Sequence, residues 1–253
     1  MTQSDLLSVA LAQSALDCGC TPGDFLRPEP VVVPSAAHPG ARRYLPLPFD
    51  AHFVSYGDNV VASVSPGFED IARDYIGRFP PEHCFEAPAL NALQAALRPL
   101  GAEVRSMGEY FLPDLSRLTP LPCPLEMRLL TAADFGPLYL PQWGNALCEK
   151  RKELDVLGVG AYDEETLVGL AGCSADCGTM WQIGIDVLPP YRRRGIASAL
   201  TARLALEILA RGKVPFYCRA WSNVKSGRNA VRAGFSPAWV EMTVKKTGER
   251  KEG

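Results

Sequence analysis

The stretch IGIDVLPPYRRRGIASALTARLALEILARG, residues 183–212, constrains this chain more than any other. An apolar run is stopped by Pro189 and Pro190, which cannot donate to a strand ladder. Three arginines and a glycine follow, and then a segment with Leu200, Leu204 and Ile208 at helical spacing, closed by Gly212. A strand that passes through a tight basic turn into a helix is the repeating unit of an α/β layer. The first N–H groups of such a helix lack intrahelical partners, and its dipole is positive there. Gly195, Ile196, Ala197 and Ser198 open the helix with backbone that an anion can approach, and Arg192, Arg193 and Arg194 add charge-assisted donors suited to phosphate. The pattern predicts a pyrophosphate cradle. It is not a P-loop, because no G-K-[ST] follows the glycine, and not a dinucleotide fingerprint, because G-x-G-x-x-G is absent. A solvated basic turn is the alternative, and the continuous apolar strand ahead of the loop argues against it.

The surrounding rhythm is strand and helix in alternation. Met127–Leu130 reads as a strand, and Ala132–Leu154 as helix in pieces, broken near Gly136–Pro137 and Pro141. VLGVGAY and TLVGLAGCSA flank DEE as a hairpin, MWQIGIDVL precedes the basic turn, and VPFYCRAW follows the long helix. NVKSGRNAVRAG is a short helix ended by Gly234, FSPAWVEMTVKK is the last strand, and the final charged residues are expected to fray. The first half mixes both elements. Residues 4–16 form an amphipathic helix with Ser4 as N-cap, Val31–Val33 is extended, and residues 52–66 form a hairpin around GDN. PGFEDIARDYIGRF and APALNALQAALRPLG carry helical periodicity, and AEVRSMGEYFLPD reads as a strand. The proline-bearing segment 115–127 marks a boundary, giving an amino-terminal mixed α/β domain over 1–120 and a second domain over 126–253.

Composition excludes several classes. A total of 26 Lys and Arg against 28 Asp and Glu lacks the basic excess of a nucleic-acid or membrane-surface binder. No run of 18 apolar residues is present, and the first residues lack a basic, signal-like region, so a cytoplasmic protein is expected. The eight cysteines match no common zinc spacing, and reduced, partly buried thiols are expected rather than a metal site or disulfides.

Two motifs in order carry a family resemblance. R-x-x-G-x-A at Arg192–Ala197, preceded by DVLPPYR, resembles the acyl-CoA pyrophosphate loop of the GNAT superfamily of N-acetyltransferases. WSNVKSGRNAVRAGF is similar to that superfamily's second motif, through Asn223, Ser226, Gly234 and Phe235. The resemblance covers roughly residues 126–245. It implies a mixed-sheet, acyl-CoA-binding domain whose two central strands splay apart to receive the pantetheine arm. It also implies an acetyl-CoA-dependent N-acetyltransferase that moves an acetyl group directly from thioester to a primary amine, without a metal. Val187 and its neighbours would lie on the backbone side of the cofactor, the amides from Arg193 through Ala197 would face the pyrophosphate, and Asn223 and Ser226 would lie near the pantetheine or the sulfur.

The chain departs from the family pattern at its acid and base. Where many members carry a Tyr, four residues before the terminal glycine of the second motif, this sequence has Ala230, and where some carry a strand Glu it has Cys218. Asp186 is the candidate to deprotonate or bind the amine; alternatively it orients the loop by binding backbone amides or arginines. Ser226 either donates to the departing sulfur or bonds within its own helix. Trp181, Tyr217 and Trp221 either wall an acceptor pocket or belong to the core. The aromatics and acids of HFVSYGDN and SMGEYFLPD are read as exposed groups for amine recognition or as hairpin surface. The partners expected are a small-molecule or peptide amine, with no nucleic acid and no membrane; a homodimer is compatible with the edge strands of such a sheet. A non-catalytic acyl-CoA sensor is the competing reading.

Overall fold

The computed structural model describes residues 1–247; the closing residues, where a frayed end is expected, lie outside the described residues. In chain order the elements are α1 (Gln3–Cys18), β1 (Val31–Pro34), β2 (Ala51–Ser55), β3 (Val61–Val64), α2 (Glu69–Arg78), α3 (Ala87–Leu97) and β4 (Ala102–Pro113). They continue with β5 (Glu126–Thr131), β6 (Asp155–Asp163), β7 (Thr166–Ser174), β8 (Met180–Val187), α4 (Ile196–Ala210), β9 (Val214–Ala220), α5 (Val224–Arg232) and β10 (Phe235–Lys246). The mixed α/β class expected from the sequence is what forms. Two local details differ. The first helix is capped by Thr2 rather than Ser4, because Asp5 N donates to Thr2 Oγ1 at 3.2 Å while Thr2 N donates to the Asp5 carboxylate at 2.7 Å. Residues 132–154 form 3-10 turns and no α-helix: Gly136, Pro137 and Pro141 interrupt the first part, and non-helical backbone at Arg151 (φ −141°) breaks Glu149–Leu154.

The chain divides into two compact units that are interleaved in sequence. One comprises Met1–Val9 and Phe111–Pro237; the other comprises Ala10–Tyr110 and the residues from Ala238 on. This partition does not coincide with a cut between 120 and 126, because residues 240–244 of β10 pair antiparallel with β2 in the amino-terminal half.

In the unit holding the basic loop, β5, β6, β7 and β8 form an antiparallel run, and β9 joins β8 in parallel. Leu200, Leu204 and Ile208 of α4 are fully buried against Leu157, Val159, Val168 and Ala171, so the helical stripe read from the sequence is the core contact. Trp143, Ala146 and Leu147 pack with Leu130, Phe135 and Leu170 in a second cluster. The two layers meet opposite faces of β7. A Cβ added at Gly169 would lie 3.1 Å from Ile196 and Leu200, whereas one at Gly172 would lie 2.1 Å from the Ala146 carbonyl oxygen.

In the other unit, β1 runs parallel to β3, β3 is antiparallel to β2, and β2 is antiparallel to β10. Phe53, Ala62 and Met242 pack beneath Ala72, Tyr75, Leu93 and Leu97 of α2 and α3. On the opposite face of β2 and β10, where His52 and Glu241 point, an ion network is buried. Arg42 donates to Asp17 at 2.5 Å and to Glu241 at 2.6 Å, and Glu241 also accepts from the Trp239 indole at 2.7 Å and lies 3.2 Å from His52. Burial opposes ionisation of Glu241, but Arg42, His52 and Trp239 outweigh it and hold the carboxyl well below its usual range.

Candidate active site

The site grows from the way β8 ends. On one side, β8 stays paired with β7 from Gln182↔Ser174 to Val187↔Gly169. On the other, its parallel register with β9 runs from Met180↔Val214 only to Ile183↔Tyr217, although β8 continues to Val187 and β9 to Ala220. The strands therefore part after Ile183, and the β9-facing backbone of Gly184–Val187 has no ladder partner.

The chain leaves β8 through one 3-10 turn at Pro189–Tyr191 and enters α4 at Gly195. Arg193 has φ +62° and Gly195 φ +82°, both in the left-handed region. Alternating hands on successive residues turns backbone N–H groups into one concavity, and the open first turn of α4 extends it. A Cβ at Gly195 would meet nothing within 4 Å, so the space over the loop is open and glycine is required there by φ rather than by crowding. The three arginine side chains are exposed. Arg192 Nε donates back to the Val187 carbonyl at 2.8 Å, and the Arg194 guanidinium lies 5.6 Å from the Tyr191 ring centre. Ile196 is buried in the core, and the buried Ser198 hydroxyl donates to the Gly195 carbonyl at 2.9 Å. The loop thus brings Val187 and residues 192–198 together, with Ser198 serving its own helix turn.

Asp186 points to the face opposite α4. Its carboxylate accepts from Asn145 N at 2.8 Å, Asn145 Nδ2 at 2.6 Å and Ala146 N at 3.0 Å. Beside it Gly184 is an enforced absence of side chain, because a Cβ there would lie 1.7 Å from the Asn145 carbonyl oxygen. Asp186 binds backbone amides, as in the alternative reading of the sequence, although the amides belong to the 145–146 turn and not to the basic loop.

The second motif forms the start of α5. Asn223 is the N-cap, its Oδ1 accepting from Ser226 N at 3.2 Å. The Ser226 hydroxyl is 2.9 Å from the Tyr217 hydroxyl, so Ser226 bonds outside its helix as well as within it. Gly234 has φ +92°, and a Cβ would come within 2.7 Å of Leu118 Cα, two independent demands for glycine. Ala230 is completely buried. Gln182 Nε2 donates to the Cys218 sulfur at 3.0 Å. Of the three aromatics proposed to wall a pocket, Tyr217 is core, Trp181 is half-buried and Trp221 is exposed.

Two sets of polar residues were not singled out by the sequence. Asp155, at the start of β6, is buried and raised to about 6 by that burial, against a hydrogen bond from Cys148 N at 2.8 Å. Asp176, also buried, accepts from Ser174 at 3.0 Å and from Arg151 at 3.3 Å. In the other unit the expected exposed aromatics are interior. His52 is inaccessible, and Trp239 stacks between Tyr56 and Tyr110, with centroids 5.5 Å and 4.8 Å away. Both faces of β2 are covered, whereas β4 is covered on both faces only over 110–113. Among the described residues, no group of three or more His, Cys, Asp or Glu could hold a metal ion, and no helix is long and apolar enough to cross a membrane.

Residues 125–235 match the model of the acetyltransferase (GNAT) family. This segment is a GNAT acetyltransferase domain. Its matched span runs from the start of β5 to the start of β10 and holds both motifs. Proteins of this family use acyl-CoA. Similar solved structures include a GCN5-related N-acetyltransferase from Sphaerobacter thermophilus, 16% identical over 97% of this chain and 94% of that one, with a TM-score of 0.48. Another is a GNAT-family acetyltransferase from Novosphingobium aromaticivorans, 21% identical over 58% of this chain and 68% of that one, with a TM-score of 0.44. An aminoglycoside N-acetyltransferase in complex with CoA is 18% identical over 47% of this chain and 93% of its own, with a TM-score of 0.36. A comparison with curated proteins finds no match.

Proposed function

We propose that this protein is an acetyl-CoA-dependent N-acetyltransferase that passes the acetyl group directly to a primary amine on a small molecule or peptide. One observation carries the reading. The β8–β9 ladder stops at Ile183↔Tyr217, and four residues later the chain enters a loop with two left-handed residues among three arginines at the mouth of α4. The β9-facing backbone of Gly184–Asp186, which lies beyond the ladder, suits an amide-bearing arm, and the concavity over Arg193–Ala197 suits a pyrophosphate, so the residues present fit the CoA moiety. Bound there, acetyl-CoA supplies an activated thioester carbonyl.

The chain's own groups do the rest. Arg193, Arg194 and the first-turn amides of α4 hold anionic oxygens. Asp186 fixes the 145–146 turn against β8 and acts as a positioning residue. Asn223 fixes the start of α5 and Ser226 within it. With Ala230 in place of a titratable side chain, the reaction relies on orientation and on an amine that arrives deprotonated. The amino-terminal domain, residues 1–120, is read as the element that shapes acceptor choice. None of the eight cysteines is in a disulfide, which suits a reducing cytoplasm.

A non-catalytic acyl-CoA sensor is the second reading, favoured by the commitment of Asp186 to Asn145 and Ala146 and by the buried methyl of Ala230. Release of CoA thiol from acetyl-CoA, followed across a panel of primary amines, separates the two. Transfer requires at least one amine that accelerates release beyond the rate in buffer alone. A protein that binds acetyl-CoA and accelerates release with no amine or peptide amino terminus is a sensor.

A further inference from the structure

We propose that Tyr217 is a positioning residue of the acyl-transfer site: its buried phenol holds Ser226 so that the serine hydroxyl proton is offered to the sulfur of CoA. The inference rests on the acyl-CoA reading of the basic loop and deepens it.

The location comes first. Tyr217 stands opposite Ile183 at the last rung of the β8–β9 ladder, the point from which the two strands part. Ser226 lies in the first turn of α5, and its hydroxyl is 2.9 Å from that of Tyr217. The hydroxyl pair therefore sits at the apex of the opening, where the far end of an arm lying along Gly184–Val187 would arrive. One turn further along α5, the methyl of Ala230 has nothing to donate.

Rigidity comes next. Tyr217 is 3% exposed, and Phe111 and Phe235 flank its ring with centroids 6.4 Å and 6.3 Å away. The neighbouring polar groups are tied down as well. Asn229 Nδ2 donates to Thr201 at 3.0 Å, and Thr201 donates to the Ala197 carbonyl at 2.8 Å, which links α5 to the first turn of α4.

Direction is the deciding step. Burial pushes the Tyr217 phenol above its usual value, against hydrogen bonds with Ser226 and Asn229 that lower it, so it keeps its proton. A phenol is a much stronger acid than an aliphatic alcohol and donates in a pair of the two. In the proposed arrangement Tyr217, which also bonds Asn229, gives its proton to Ser226 Oγ, and the serine O–H is left for the sulfur. Asn223 Oδ1 accepts from Ser226 N, which fixes the start of α5 and with it the place of the serine. A thiolate leaving group gains from a donor aimed in advance at its sulfur.

The test titrates the thiol of CoA bound to the full-length protein, by the ultraviolet absorbance of the thiolate. Bound to the wild type, CoA is expected to show a thiolate-to-thiol ratio about tenfold above that of free CoA at one pH, which corresponds to one pH unit in its midpoint. Ser226→Ala should abolish the gain, Ser226→Thr should keep most of it, and Tyr217→Phe should lose most of it while CoA still binds. A role confined to packing would leave the thiol titration unmoved. Tyr217→Phe that folds, binds CoA and retains the wild-type ratio overturns the proposal. Should Tyr217→Phe fail to fold, equal ratios in wild type and Ser226→Ala overturn it instead. Failure of CoA and of its desulfo analogue alike to raise the unfolding temperature overturns the acyl-CoA reading itself. Binding of both, with the thiol titrating as in free CoA, overturns the hydroxyl pair alone.

Discussion

Gly195 separates backbone strain from charge at the candidate pyrophosphate seat. Its φ is +82°, and a Cβ there has no atom within 4 Å. Gly195→Ala therefore meets no clash and costs only the left-handed conformation, about 1–2 kcal/mol of folding stability. The loop keeps its amides, so acetyl-CoA affinity should fall less than about tenfold. Gly195→Glu carries the same strain and adds a carboxylate at the mouth of α4. Opposite a phosphate charge about 5 Å away, with an effective dielectric between water and a protein surface, the repulsion is about 1–3 kcal/mol, or roughly 5- to 150-fold in affinity beyond the alanine variant. Denaturant unfolding measures the first quantity and calorimetric titration with acetyl-CoA the second. Raising the salt should shrink the glutamate penalty and leave the alanine penalty unchanged, because only the former is screened. If folded Gly195→Glu binds acetyl-CoA as tightly as Gly195→Ala, no anion sits at this helix mouth.

Two further predictions concern charges in the interior. Burial raises Asp155 from the ordinary 3.8 to about 6, so the folded state prefers it neutral. Stability is then full below about pH 4 and lost as pH rises through 6, by at most about 3 kcal/mol. The nearby Arg151 charge and solvent screening bring this to about 1–2 kcal/mol. Asp155→Asn should flatten that slope in denaturant unfolding across the window, and a variant with the wild-type slope would contradict it. Arg42→Met leaves Asp17 and Glu241 buried without their cation and should cost about 3–5 kcal/mol. Because the folded Glu241 carboxyl is held low, its stabilisation is present above the unfolded value near 4.3 and lost as pH falls below it. Arg42→Met should accordingly weaken the acid-side loss of stability. Thermal unfolding with the wild-type midpoint would show the network to be dispensable.

What could be read in advance was local. The basic loop was legible because an apolar strand, two prolines, three arginines and a glycine are consecutive, and the physics of a helix mouth acts within one turn. The hairpins around GDN and DEE were legible for the same reason, through residues that tolerate unusual backbone. Partners distant in sequence were not. Asp186 reaches its amides 41 residues away, and Arg42 finds Glu241 199 residues away. No spacing encodes either. Residues 132–154 carried helical composition, but proline and glycine left the segments up to Trp143 too short to propagate beyond a 3-10 turn, and Glu149–Leu154 breaks at Arg151. The interleaving of the units depends on β10, whose 12 residues read as one strand whichever neighbour they find. Tyr217 illustrates the limit most sharply. From the sequence it is one aromatic on an apolar strand, and only the meeting of β9 with α5 supplies its hydroxyl with Ser226.

The most direct test of the account is thermal unfolding of the full-length protein with acetyl-CoA, with CoA, and with the adenosine 3′-phosphate 5′-diphosphate that lacks the pantetheine arm. A ligand at about a hundred times its dissociation constant adds roughly 2.7 kcal/mol to the folded state. The account predicts that acetyl-CoA and CoA both raise the transition and that the truncated nucleotide raises it less, since it fills the cradle at Arg193–Ala197 but not the opening between β8 and β9. If none of the three moves the transition at millimolar concentration, the arginines form only a basic turn and the transferase reading is wrong.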